Sequence, residues 1–406
     1  MFGGHKYLVG LDIGTATVKA VVAENERGRP AVRALFERPA GGLKKGVIID
    51  LAEATSTVNK ILNDVAQVSR TALRSIYTNV GTWQIKTQVS RGIVAVSRAD
   101  SEIYEHDIDR ARKASEAVNL AMNRMIVHNI PREYIVDGVG DIQDPLGLSG
   151  NRLELNTLVV DAFAPHVKSV IRVVELAGGK MAGLVLNPVA AARAILARAQ
   201  KDLGVVVIDI GAGTTGVSIY EDNKLVDLAV FPVGAGHVTN DVALRLKIPT
   251  EAAERLKLEA GYAVAGEVSA REVVELSKYS SEMKNAVSRR LVAETIEARL
   301  AEIFGLVYDE LKLLGKNGQL PGGAILVGGG SKMPGLTDLA RQELKLSAQI
   351  GLPLGDEWSA GHEADAFEDP GFVTALGLVL CGADKEGWFR EGDKGSWKNP
   401  LKYFWP

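Results

Sequence analysis

Leu11-Asp12-Ile13-Gly14-Thr15-Ala16-Thr17-Val18-Lys19 is the stretch on which the reading of this chain turns. The apolar run Tyr7–Ile13 predicts a strand, Gly14 a turn, and Val18–Ala23 a returning strand. Glycine at such a turn lets backbone N–H groups approach phosphate oxygens with no side chain in the way. On the returning strand Thr15, Thr17 and Lys19 share one face, because strand side chains alternate. Two hydroxyls and an ammonium there suit the β- and γ-phosphates of a nucleotide. Asp12, at the strand end, is placed to reach a magnesium ion through water, since magnesium keeps most of its hydration shell. Alone, the stretch reads equally well as an ordinary glycine hairpin.

Half a chain later the pattern returns as Ile208-Asp209-Ile210-Gly211-Ala212-Gly213-Thr214-Thr215. Two glycine turns opposite one another make a clamp for one polyphosphate, with Asp209 as a second carboxylate for the metal. A third element, Leu326-Val327-Gly328-Gly329-Gly330-Ser331-Lys332-Met333-Pro334, ends a strand in three glycines. Such a turn permits close approach of an adenine ring and its ribose. The fourth is Glu254 and Lys257, one helical turn apart, which suit the ribose hydroxyls and the base or form an intrahelical ion pair on a solvated face. Each element is weak alone; the four in this order are a strong signal.

The rest of the chain fits a mixed α/β protein of two similar lobes about a cleft. Its 406 residues allow two or three domains. Forty-seven basic against 50 acidic residues leave a net charge of −3, which excludes a globally basic nucleic-acid binder. The single cysteine, Cys381, excludes a disulfide framework. No apolar run reaches the ~18 residues of a membrane span, and no secretory signal is read at the start. Helices are expected over Asp50–Ser69, Glu105–Met125, Pro165–Ala177, Pro188–Gln200, most of Thr239–Leu314 with starts near Thr239, Thr250 and Ser269, and Gly371–Leu380. Strands are expected over Ile76–Val80, Ile85–Ser90, Gly92–Val96, Tyr134–Val139, Arg152–Phe163, Gly204–Ile210 and Ala324–Val327. Thr239-Asn240-Asp241 reads as a helix cap, and His237 and His362 as hydrogen-bonding surface residues.

The order of the four elements resembles the actin, Hsp70 and sugar-kinase superfamily, and within it the chain resembles the FtsA family of bacterial cell-division proteins over almost its full length. The discriminating stretches are Gly41-Gly42-Leu43-Lys44-Lys45-Gly46-Val47, Ser90-Arg91-Gly92-Ile93-Val94-Ala95-Val96, the run from Asn129 to Gly138, that from Asp144 to Glu154, and Phe231-Pro232-Val233-Gly234-Ala235-Gly236-His237. The resemblance implies an actin-like fold of two lobes around a nucleotide cleft, in which a subdomain 1C replaces actin's 1B. It implies subdomain 1A at 1–83, 164–200 and 366–384, 1C at 84–163, 2A at 201–235 and 316–365, 2B at 236–315, and a linker with an amphipathic membrane segment at 385–406. It also implies ATP and magnesium as cofactors, with Gly234 among the nucleotide contacts.

Three departures qualify the family pattern. The first-loop lysine is at Lys19, two positions after Thr17 where the family often places it. Ala212 interrupts the usual glycine triplet of the second loop. Asn187 stands where relatives carry an acidic or glutamine residue that orients the attacking water; it can hold water but cannot act as a general base. Weak or no ATP hydrolysis is therefore expected.

The family also implies a membrane segment. Trp397, Leu401, Phe404 and Trp405 fall on one helical face, flanked by Lys398 and Lys402 that can snorkel toward anionic headgroups. Pro400 sits in what would be the first turn. Three of the five tryptophans (Trp388, Trp397, Trp405) lie at this end of the chain. The expected partners are the C-terminal tail of the tubulin-like FtsZ through subdomain 2B, further copies of this chain in filaments, other division proteins and the cytoplasmic face of the cell membrane at the division site, with no nucleic acid. A pilus-assembly adaptor of the PilM type and a small-molecule kinase of the same superfamily are the alternatives.

Overall fold

A computed structural model describes residues 6–98, 100–280, 285–359 and 365–389. Residues 390–406, which include the whole amphipathic segment, lie outside them, as does His362.

The two lobes are built on the same five-stranded plan. In the first, the strand order is Met181–Leu186, Ile76–Val80, Tyr7–Ile13, Thr17–Glu26, Arg29–Pro39; in the second it is Ala348–Ile350, Ala324–Val327, Val205–Ile210, Thr215–Glu221, Lys224–Phe231. In both, the strand carrying the aspartate pairs in parallel on one side and forms an antiparallel hairpin on the other. Tyr7–Ile13 and Val205–Ile210 are buried along almost their whole length, which accounts for continuous apolar runs rather than alternation. The duplicated sequence motif is thus a duplicated sheet.

The helix Leu51–Val68 buries Ala54, Val58, Ile61, Leu62 and Val65, and Asp50 caps it by accepting the Glu53 amide at 2.9 Å. Between the lobes, Asn187–Ile195 packs on Val373–Glu386. Only small residues permit that contact: a Cβ on Gly377 would lie 1.8 Å from the Ala190 carbonyl oxygen. A buried charge cluster closes the junction. Arg193 donates to both oxygens of Asp384 at 2.7 and 2.9 Å and to Glu357 at 2.5 Å.

A separate antiparallel sheet, ordered Ile85–Ala95, Arg152–Phe163, Arg124–Val136, Val139–Ile142, is inserted into the first lobe. It shares a small core (Val94, Ile103, Ile108, Ala111, Leu153, Leu155 among others) with the helix Glu105–Ser115.

Several expected elements differ. The helix expected to reach Met125 stops at Ser115; Asn123 adopts a left-handed backbone (φ 60°), and Arg124 and Met125 pair with Phe163 and Ala162 instead. The two short strands split at Arg91 are one strand, and Gly92 is there because its hydrogen faces the Ala111 carbonyl, 1.8 Å from where a Cβ would be. The helix over Pro188–Gln200 breaks at Leu196. No helix starts at Ser269; Val273–Glu275 pairs with Ala286–Ser288, as β-branched residues favour, and the long helix runs Arg289–Leu313. The final helix runs on to Glu386, and Trp388 is buried in the first-lobe core, so it is no part of an exposed aromatic cluster. Among the described residues no helix is long and apolar enough to cross a membrane.

Candidate functional site

A cleft of about 840 Å³ separates the lobes, and both glycine hairpins open into it. The two turns have the same internal bond: the Gly14 amide donates to Thr17 O at 3.1 Å, and the Gly211 amide to Thr214 O at 2.9 Å. Sequence repetition has therefore produced geometric repetition. The amides of Thr15, Ala16, Ala212 and Gly213 have no acceptor among the described residues.

Asp12, Gly14, Thr15, Thr17, Lys19, Asn187, Asp209, Gly211, Gly213, Thr214, Glu254, Lys257, Gly328, Gly329, Gly330 and Met333 all line the cleft. Three expected contacts stand behind it instead. Thr215 is fully buried and donates to the Val233 carbonyl at 2.9 Å. Gly234 packs under the second loop, where a Cβ would come within 2.3 Å of the Gly211 carbonyl oxygen. Ser331 is buried and ties back to Gly328 O at 2.7 Å. All three shape the loops rather than face the cleft. Thr15 also departs from expectation: the returning strand begins at Thr17, so Thr15 lies in the turn, and its hydroxyl accepts the Gly46 amide at 3.1 Å.

The two carboxylates are buried, and burial pushes Asp12 up to about 6 and Asp209 up to about 7, the latter also feeling the charge of Asp12. Lys19 partly offsets both. Its ammonium reaches Thr17 Oγ1 at 2.7 Å and Glu37 at 3.3 Å. A pair of desolvated acids with free amides opposite fits a hard cation that keeps most of its water and bridges to phosphate. The two loops also approach each other closely: a Cβ on Gly213 would meet Thr15 Oγ1 at 2.5 Å and the Lys45 backbone at 3.0 Å.

Asn79, which sequence reasoning did not single out, organises this end. It accepts the Ile13 amide at 2.7 Å, and its side-chain nitrogen donates to Asp12 at 2.6 Å and to Asn187 at 3.2 Å. Its one legible signal is its place at the end of the buried strand Ile76–Val80. Thr374, at the start of the final helix, donates to Asp209 at 3.3 Å. His128 of the inserted sheet accepts the Leu186 amide at 3.0 Å just before Asn187, and burial holds its ring neutral, with a pKa of about 3.

At the second-lobe wall, Glu254 and Lys257 pair at 2.7 Å, and Lys257 is buried rather than solvated. Thr239 joins them, donating to Glu254 and accepting from Lys257 at 2.9 Å. The cap reading of Thr239 is thus corrected: its helix starts at Ala235, and Thr239 lies inside it facing the cleft. His237 likewise lines the cleft, its Nδ1 accepting the Gly234 amide at 3.2 Å. In the glycine triplet, a Cβ on Gly328 would strike Asp209 at 2.4 Å and one on Gly330 Ile210 at 2.5 Å, whereas Gly329 meets nothing. Two glycines are needed for packing and one leaves open space.

The family model of the cell-division protein FtsA matches residues 206–377, and that of the SHS2 domain inserted in FtsA matches residues 83–161, the inserted sheet described above. The chain is 31% identical over 382 residues to the cell-division protein FtsA of Pseudomonas aeruginosa, covering 94% of this chain and 90% of that one. It is 33% identical over 375 residues to the FtsA of Bacillus subtilis, covering 92% and 83%. Among solved structures it is similar to the PilM–PilN type IV pilus biogenesis complex (TM-score 0.65, 20% identity, 93% of this chain and 98% of that one). It is also similar to MreB5 of Spiroplasma citri bound to AMPPNP (TM-score 0.53, 14% identity, 93% and 96%). At such identities these two likenesses establish the fold alone. The fold is actin-like, two lobes about a cleft with an FtsA-type insert in the first. With relatives above 30% identity aligned over most of both chains, this chain belongs to the FtsA family of cell-division proteins.

Proposed function

We propose that this protein binds ATP and magnesium between its lobes and uses the nucleotide to control its own polymerisation, tethering FtsZ filaments to the cytoplasmic face of the cell membrane at the division site and recruiting later division proteins. The observation that carries this reading is the opposition of Asp12 and Asp209, at equivalent positions of two equivalent hairpins, across one cleft. Asp12 and Asp209 would hold the ion through water, and the loop amides, Thr15, Thr17, Lys19, Gly213 and Thr214 the phosphates. Glu254, Lys257, Gly329 and Met333 would hold the adenosine. Magnesium supplies charge neutralisation on the phosphates when bound.

Asn187, fixed by Asn79, can orient a water but not take its proton. Nucleotide is therefore held rather than rapidly spent, as suits a conformational ligand. Rapid single-turnover phosphate release, lost in Asn187→Ala, would overturn that point. The FtsZ tail is assigned to residues 236–315, and membrane attachment to the segment bearing Trp397, Lys398, Leu401, Lys402, Phe404 and Trp405.

The whole reading is tested on anionic vesicles with ATP and a fluorescent peptide of the FtsZ C-terminal tail. ATP-dependent recruitment of the peptide is expected. Recruitment equal without nucleotide would remove the gating, and none at all would remove the tethering.

A further inference from the structure

A short hairpin pairs Leu43–Lys44 with Val47–Ile48, and its turn at Lys45-Gly46 forms a strap that lines the cleft and touches both lobes. From the first lobe, Thr15 accepts the Gly46 amide at 3.1 Å. From the second, Gly213 abuts the Lys45 backbone, which a Cβ would meet at 3.0 Å, and Thr214 Cγ2 stands 3.3 Å from where a Cβ on Gly46 would be. The same Cβ would fall 2.0 Å from the Gly81 carbonyl oxygen, at the strand end beside Asn187. Gly46 has φ +70°, so both its left-handed backbone and its surroundings demand glycine. Lys45 is itself left-handed (φ 51°), an uncommon state for a lysine, and it lines the cleft half-buried.

Lys45 lines the same cleft as the open loop amides and brings a cation to a wall already suited to an anion. Its position singles out one. The strap packs on both phosphate loops, and through Gly81 it neighbours Asn187, the residue suited to a water attacking the last phosphate. We propose that Lys45 is a sensor of the terminal phosphate: its ammonium binds the γ-phosphoryl group of a nucleoside triphosphate, and the strap thereby couples that phosphate to closure of the second lobe on the first. The inference rests on nucleotide occupying this cleft, and it adds a cation outside the paired hairpins.

The test is equilibrium titration of the full chain with fluorescent ATP and fluorescent ADP in magnesium, comparing wild type, Lys45→Ala and Lys45→Arg, with thermal melts to confirm folding. Lys45→Ala is expected to weaken ATP about tenfold or more, the order of a lost charge-assisted hydrogen bond, and to change ADP less than about twofold. Lys45→Arg keeps the charge and should retain most of the ATP preference. An unchanged ATP-to-ADP ratio in Lys45→Ala would overturn the sensor while leaving the nucleotide reading intact. Wild-type protein that binds neither nucleotide would overturn both.

Discussion

Asn79 joins Asp12 to Asn187: one side-chain nitrogen donates to the carboxylate at 2.6 Å and to the amide oxygen at 3.2 Å. With its oxygen also taking the Ile13 amide, this buried residue sets the orientation of the Asp12 acid and of the Asn187 amide together. Asn79→Ala leaves the Ile13 amide, the buried Asp12 carboxylate and the half-buried Asn187 amide without this partner. A loss of about 2–3 kcal/mol in denaturant unfolding is expected, on the usual cost of unpaired buried polar groups. A neutral Asn79→Ala would show that the bridge holds nothing in place.

The two aspartates give stability a definite slope with pH. Their folded values, about 6 and about 7, exceed the ordinary 3.8. The folded state therefore binds more protons than the unfolded one above 3.8, and their contribution is lost as pH rises through 6 to 7. His128 has the opposite sign below its ordinary 6.5. Comparing wild type with Asp209→Asn isolates the acids: the variant should gain melting temperature relative to wild type as pH rises from 5 to 8. Magnesium with ATP should shrink that gap by neutralising the pair. Parallel melting curves across this range would contradict the assignment.

Arg193 anchors the junction of the lobes through Asp384 and Glu357, all three buried or nearly so. Arg193→Met strands Asp384 in the core and should cost about 3–5 kcal/mol, as removal of one partner of a buried pair does. Arg193→Met with Asp384→Leu should recover much of it. A double variant no better than the single one would mean that the loss is packing rather than charge.

Liposome co-sedimentation of the full chain against a truncation before Gly395 tests the amphipathic segment. The full chain should bind vesicles rich in anionic lipid and lose binding with salt, and the truncation should stay in solution. Equal binding would remove the membrane claim.

What the sequence revealed followed from chemistry that is local. Asp-Ile-Gly is a strand end and a turn in nine residues, and it reads the same in both lobes. Asn79 was invisible because its function depends on a partner that reaches it only when strands from distant parts of the chain pair. Thr239 misled for a related reason: a threonine before Asn-Asp is a good cap locally, but the turn at Gly234 starts the helix a turn earlier. Residues 116–125 look helical by composition, and only the need of Arg152–Phe163 for a second neighbour makes Arg124 a strand. Lys45 stood in a family signature with no role attached, because its left-handed turn and its contact with Gly213 exist only across the assembled cleft.

The central claim is that one nucleotide is held with magnesium by both hairpins at once. Isothermal titration of ATP into wild type, Asp12→Asn and Asp209→Asn, each with magnesium and with chelator, tests it most directly. Wild type should bind one ATP per chain with magnesium and at least about tenfold more weakly without it, and each substitution alone should abolish most of that difference. Affinity that ignores magnesium, or that survives both substitutions, would contradict a metal site shared between the lobes.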